Sequence, residues 1–207
     1  MKKILGVYLL VLGCLAPTVA GQTLTARQTI DRAAGKLRQA GGVEATFTLS
    51  ATAPDGQTGT STGTLRMQGN RFVLDAADMH TWFDGHTQWT YVPDNNEVNL
   101  STPNDEELQS INPYALLYLY QEGYDIRFGA NRYELVLKAT DKKRELRTIT
   151  LRLDARTWLP THLSTRTRND EQAEIEITSC RTAQHYPDSL FRFDAKQYPT
   201  AEIIDLR

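Results

Sequence analysis

From Val43 to Ser50 apolar and polar residues alternate, with Val43, Ala45, Phe47 and Leu49 set against Glu44, Thr46, Thr48 and Ser50. A period of two sends the two sets to opposite faces, so this stretch predicts a half-buried β-strand. Before it, Ala26, Ile30, Ala33, Ala34 and Leu37 recur at helical spacing among Arg27, Asp31, Arg32, Lys36 and Arg38. That pattern predicts a helix over residues 24–40, ended by Gly41-Gly42. Downstream lie short stretches rich in Thr, Val and aromatics, at 59–68, 71–76, 79–83, 86–92 and 97–102. Gly69-Asn70, Asp84-Gly85 and Pro93-Asp94-Asn95-Asn96 separate them, and such residues tolerate the positive φ of hairpin turns. An antiparallel meander is expected.

Residues 103–121 break the pattern. Asp105, Glu106 and Glu107 suit a helix start, and the run from Tyr114 to Tyr120 is apolar or aromatic all round, so a helix is expected here, divided at Asn112-Pro113. Strands resume at 124–128, 132–139, 145–154, 158–168 and 171–181. Strict alternation in Ile149, Leu151 and Leu153 predicts a sheet with one buried and one wet face. In the tail, Phe191 and Phe193 share a face, and Glu202 to Asp205 is expected to add an edge strand. The fold class is therefore mainly β (α+β), with about 10–11 strands that fit either a sandwich or a curled, partly closed barrel; because two helical segments are available to cover an apolar face, an unclosed antiparallel β-barrel or strongly curved sheet with a helical lid is expected.

The 207 residues carry 23 Lys+Arg and 25 Asp+Glu, a formal charge of −2, which gives no positive field to hold nucleic acid. Lys2 and Lys3 followed by the apolar stretch Ile4 to Leu15 form a secretory signal too short to span a bilayer. Small residues allow cleavage after Ala20 or after Gly21. Residues 1–21 are assigned to the signal and 22–207 to a single domain without a stable membrane anchor. Val11-Leu12-Gly13-Cys14 offers the alternative of lipidation at Cys14. Cleavage without lipidation removes Cys14 and leaves Cys180 without an intramolecular disulfide partner, so it is expected as a small core or strand residue.

Candidate chemistry is sparse. Gly59-Thr60-Ser61-Thr62-Gly63 matches the G-x-S-x-G pattern of a nucleophile elbow, with His162 and His185 downstream as partners, but an elbow needs a strand turning into a helix. Here another strand is expected. His80, His86, His162 and His185 have no metal-ligand spacing, so no metal and no cofactor is expected, and the protein is expected not to be an enzyme. His80 and His86 flank a turn and read as strand-end histidines. Ten of the 18 aromatic residues fall between Phe72 and Phe128, more than one side of a sheet usually needs. Either they fill a core or they line a pocket between sheet and helix suited to an acyl chain.

The order of these features resembles the periplasmic lipoprotein carrier family of LolA. The matching residues are Gly63-Thr64-Leu65, Phe72, Asp84-Gly85, the run Trp89-Thr90-Tyr91-Val92-Pro93, Asn95-Asn96 with Glu97-Val98, then Pro113-Tyr114-Ala115-Leu116-Leu117 and Phe191-Arg192-Phe193. The resemblance implies an unclosed barrel capped by helices, binding the acyl chains of lipoproteins and carrying them across the periplasm to the outer membrane. After Leu65 the family has Lys-Arg-Pro, whose Arg helps latch the lid. This chain reads Met67-Gln68-Gly69-Asn70-Arg71, which leaves Arg71 as the nearest candidate latch.

The expected acyl-chain lining is Phe47, Leu49, Leu65, Met67, Phe72, Leu74, Trp89, Tyr91, Leu135, Leu137, Ile149, Leu151 and Leu153, with Ile30, Leu37, Tyr114, Leu116, Leu117 and Tyr120 on the lid. Expected partners are lipoproteins or other acylated cargo, an inner-membrane donor and an outer-membrane acceptor, with the carrier itself a monomer. Two other classes stay open: an envelope lipid-sensing or protein-interaction domain on the same fold, and a hydrolase using Ser61.

Overall fold

The computed structural model describes residues 23–104, 108 and 123–207. Helix α1 spans Ala26–Gln39. Thr25 caps it reciprocally: the Gln28 amide N–H donates to Thr25 Oγ1 at 3.2 Å, and the Thr25 N–H donates to Gln28 Oε1 at 2.9 Å. Two otherwise orphaned donors are thereby satisfied. Ile30, Ala33, Ala34 and Leu37 form its buried stripe, as their spacing predicts. Gly41, at φ +70°, then turns the chain into the sheet, and the Ala183 N–H donates to the Ala40 carbonyl at 2.7 Å.

Among the described residues, twelve strands form one sheet: β1 Gly42–Thr52, β2 Thr58–Gln68, β3 Arg71–Ala76, β4 His80–Phe83, β5 Gln88–Val92, β6 Glu97–Ser101, β7 Tyr124–Phe128, β8 Glu134–Ala139, β9 Leu146–Leu153, β10 Pro160–Thr167, β11 Gln172–Gln184 and β12 Glu202–Asp205. Their order is β12-β6-β5-β4-β3-β2-β1-β11-β10-β9-β8-β7. Two meanders, β1 to β6 and β7 to β11, are joined where β1 pairs with β11, and the curved sheet stays open with β7 and β12 as its edges. The expected tail strand is present as β12, but it runs parallel to β6, because the chain crosses the sheet before joining its edge.

The alternation of β1 buries Val43, Ala45 and Phe47 on the face that carries α1, beside Leu65 and Met67 of β2 and Phe72 and Leu74 of β3. A register shift between β1 and β11 lets Ile177 and Cys180 both pack on this side, where Cys180 is a half-buried strand residue. A second apolar cluster lies on the outer face. There the segment 186–201 runs over β3 to β6 and inserts Phe191, fully buried, with Phe193 and Tyr198 over Val73, Trp82, Tyr91 and Val98. Ring centroids of Tyr198 and Tyr91 are 4.6 Å apart, and those of Phe193 and Trp82 are 5.5 Å apart.

The strap is fastened at intervals. The Tyr186 N–H donates to Gln68 Oε1 at 3.0 Å, Arg71 pairs with Asp188 at 2.6 Å, and Asn96 Nδ2 donates to the Thr200 carbonyl at 2.7 Å. Beside it, a chain of polar side-chain contacts crosses five strands: Arg181 to Glu44, Glu44 to Arg66, Arg66 to Asp75 and Asp75 to His80. This ladder satisfies polar groups on a face that the strap only partly covers.

Candidate functional site

Ten of the expected lining residues, Phe47, Leu65, Met67, Phe72, Leu74, Leu135, Leu137, Ile149, Leu151 and Leu153, fall in one buried cluster with Ile30 and Leu37 of α1, and Leu49 packs against it half-buried. Register explains the convergence. Leu137 pairs with Ile149 and Leu135 with Leu151, and Leu151 pairs in turn with Leu163, so the face continues from β8 to β10. At the rim, Trp158 sits at φ +66° in the β9–β10 turn, with its ring 4.4 Å from the Arg32 guanidinium and edge-on to Tyr133 at 5.5 Å. Asp154 holds this turn by accepting from the Arg156 and Thr157 N–H groups and the Thr157 hydroxyl, and those bonds keep its carboxyl below the usual range.

Trp89 and Tyr91 are corrections. Trp89 pairs with Trp82 and Tyr91 with His80, whereas Phe83, which packs in the helix-side cluster, pairs with Gln88. Both aromatics therefore point to the outer face, where Tyr91 stacks with His80 and packs on Tyr198. The strap supplies a second apolar environment, and alternation alone assigns no face. The residues that instead face the helix side are Gln88 and Thr90, which hydrophobicity does not single out. The lid residues Tyr114, Leu116, Leu117 and Tyr120 lie outside the described residues, as does the rest of the helix expected over 103–121 except Pro103, Asn104 and Leu108, and Leu108 packs against the cluster.

Among the described residues Arg71, the candidate latch, touches the 186–201 segment rather than α1. It points to the outer face, pairs with Asp188 and lies 4.8 Å over the Phe191 ring, so it fastens the strap. The elbow motif fails its structural requirement as well. Residues 59–63 lie inside the continuous strand β2, Ser61 pairs with Leu49 on the helix side, and His162 is bound to Glu176 on the outer side. His80 is engaged by Asp75 while His86 is exposed, so the two do not form a pair. Among the described residues, no three His, Cys, Asp or Glu side chains gather as a metal site.

Two surface depressions among the described residues are polar. One, of about 520 Å³, is lined by Thr46, Thr48, Thr62, Thr64, Asp75 and Thr178; the other, of about 220 Å³, by Arg147, Thr148, Thr150, Ser164, Arg166 and Glu174. Their hydroxyls and charges come largely from the outer face and do not suit an apolar chain. The helix-side face is apolar instead and is packed against α1.

The family model described as the outer membrane lipoprotein carrier protein LolA matches residues 16–169. No curated protein matches the chain. Among solved structures, an uncharacterized conserved protein of Thermus thermophilus superposes with a TM-score of 0.57 at 10% identity, covering 87% of this chain and 98% of that one. A LolA superfamily protein of Nitrosomonas europaea gives 0.46 at 11% identity, covering 83% and 99%. The Pseudomonas aeruginosa MucA/MucB complex gives 0.38 at 15%, covering 83% and 62%.

Proposed function

Because the chain belongs to the family of the outer membrane lipoprotein carrier protein LolA, we propose that it binds lipoprotein acyl chains on the helix-side face of its sheet and carries lipoproteins through the periplasm toward the outer membrane. The observation that carries this reading is how lightly α1 holds an extended apolar face. Its buried stripe has only two large side chains, Ile30 and Leu37, and is otherwise Ala26, Thr29, Ala33 and Ala34. Two such side chains contribute roughly 3–6 kcal/mol in all, whereas a hexadecanoyl chain, at about 0.8 kcal/mol per methylene, has a gross driving force of roughly 12 kcal/mol. The chain can outcompete the helix.

The same comparison explains release. Displacing α1 exposes its own apolar groups and orders the cargo, so the net affinity is far below the gross figure and the cargo remains transferable. Leu49, Ile175 and Ile177 pack half-buried against the same cluster. Export by the signal over residues 1–21, a single domain over 22–207, and donor and acceptor proteins at the two membranes belong to the same proposal.

The test loads the processed protein with an environment-sensitive dye and titrates a triacylated lipopeptide against the same peptide without acyl chains. Saturable displacement by the acylated peptide alone is expected. Equal response to both peptides would sink the reading and turn the search to protein partners.

A further inference from the structure

One cross-strand row of the helix-side face reads Val43, Met67, Phe72, Phe83 and then Gln88. The first four are buried and apolar; Gln88 is 8% exposed and polar. Its amide is oriented. Gln88 Nε2 donates to Thr90 Oγ1 at 3.2 Å, and Thr90 Oγ1 lies 3.3 Å from the hydroxyl of the fully buried Thr81. The other end of the amide, Oε1, is buried with no hydrogen-bond partner among the described residues. A buried acceptor without a donor costs the desolvation free energy of that group, and a leucine or methionine would avoid the cost.

We propose that Gln88 is a specificity residue of this face, its Oε1 accepting the N–H of an amide-linked acyl chain. This rests on the acyl-binding reading above and narrows it. A saturated chain has no donor, and an ester linkage adds only acceptors, which leave Oε1 unpaired. An amide linkage adds one N–H, the group that the row lacks. A site with a buried, unpaired acceptor favours the ligand that brings the donor, because only that ligand supplies the missing hydrogen bond while its analogue leaves the acceptor unpaired.

The experiment uses two probes that differ by one atom: the methyl ester of N-hexadecanoylglycine and its oxygen isostere, methyl hexadecanoyloxyacetate. Each displaces the dye from the processed protein and from its Gln88→Met and Thr90→Val variants, all checked for folding by thermal melts. The native protein should favour the amide by about tenfold, the factor expected of one hydrogen bond in a buried site. Gln88→Met should bring the ratio to about one while keeping or raising ester affinity, and Thr90→Val, which frees the amide to rotate, should lower the ratio. Equal binding of both probes by the native protein, or an undiminished preference in Gln88→Met, overturns the specificity assignment and leaves acyl binding standing. Displacement by neither probe overturns both.

Discussion

The Phe47 ring occupies the space that a side chain at residue 63 would need. A β-carbon built on Gly63 would lie 2.6 Å from Phe47 Cζ and 2.7 Å from the Asp75 carbonyl oxygen. The glycine that completes an apparent nucleophile elbow is thus a socket for a core aromatic. Gly63→Ala is expected to lower stability by about 1–3 kcal/mol, the usual cost of overpacking. At Gly59 a β-carbon meets nothing within 4 Å, so Gly59→Ala should leave the denaturation midpoint unchanged or slightly raised. Equal effects at the two positions would refute the socket.

The strap is a structural element in its own right. Phe191→Ala empties the centre of the outer cluster and should cost about 3–5 kcal/mol in chemical denaturation, as for other buried phenylalanines. Arg71→Ala removes both the Asp188 pair and the contact over Phe191. It should increase protease cleavage within 186–201 while leaving acyl-probe affinity unchanged, the reverse of what a helix latch would do.

Face assignment leads to a contrast in binding. Trp89→Gln, on the outer face, should leave lipopeptide displacement within about twofold of the native value, the effect of a substitution away from the site. Leu49→Gln, half-buried on the helix side, should weaken it by more than that. A larger loss at Trp89 than at Leu49 would place the pocket on the other face.

Glu44 gives a pH signature. The Arg181 hydrogen bond, then that of Arg66, holds its carboxyl below the usual carboxylate value, although its partial burial pushes the other way. A depressed folded-state pKa means the contribution is complete above the unfolded value and is lost as pH falls through the folded one. Stability should therefore drop on acidification from about pH 5 toward pH 3, the carboxylate range. Glu44→Gln should show a shallower drop over that window, measured by urea denaturation at each pH. Parallel curves for the two proteins would exclude the contribution.

Much of the site is legible in one dimension because its strands bury a single face. In Ile149-Thr150-Leu151-Arg152-Leu153 the alternation has one solution, and its three apolar residues join the buried cluster. The segment Gln88-Trp89-Thr90-Tyr91 alternates just as regularly and yet turns its aromatics outward. Its second apolar environment comes from residues about a hundred positions later, so no local window contains the information.

Period, turn chemistry and capping act over a few residues, and for that reason the helix with its buried stripe, the hairpin boundaries and the antiparallel meanders were readable from the chain alone. The assembled fold was needed for the rest: that the tail lies across the outer face, that Arg71 fastens it, that β12 joins in parallel, and that Gln88 rather than Trp89 faces the helix side. Those outcomes depend on which distant surfaces meet, and burial free energy is read from the assembled contacts rather than from any residue's neighbours in the chain.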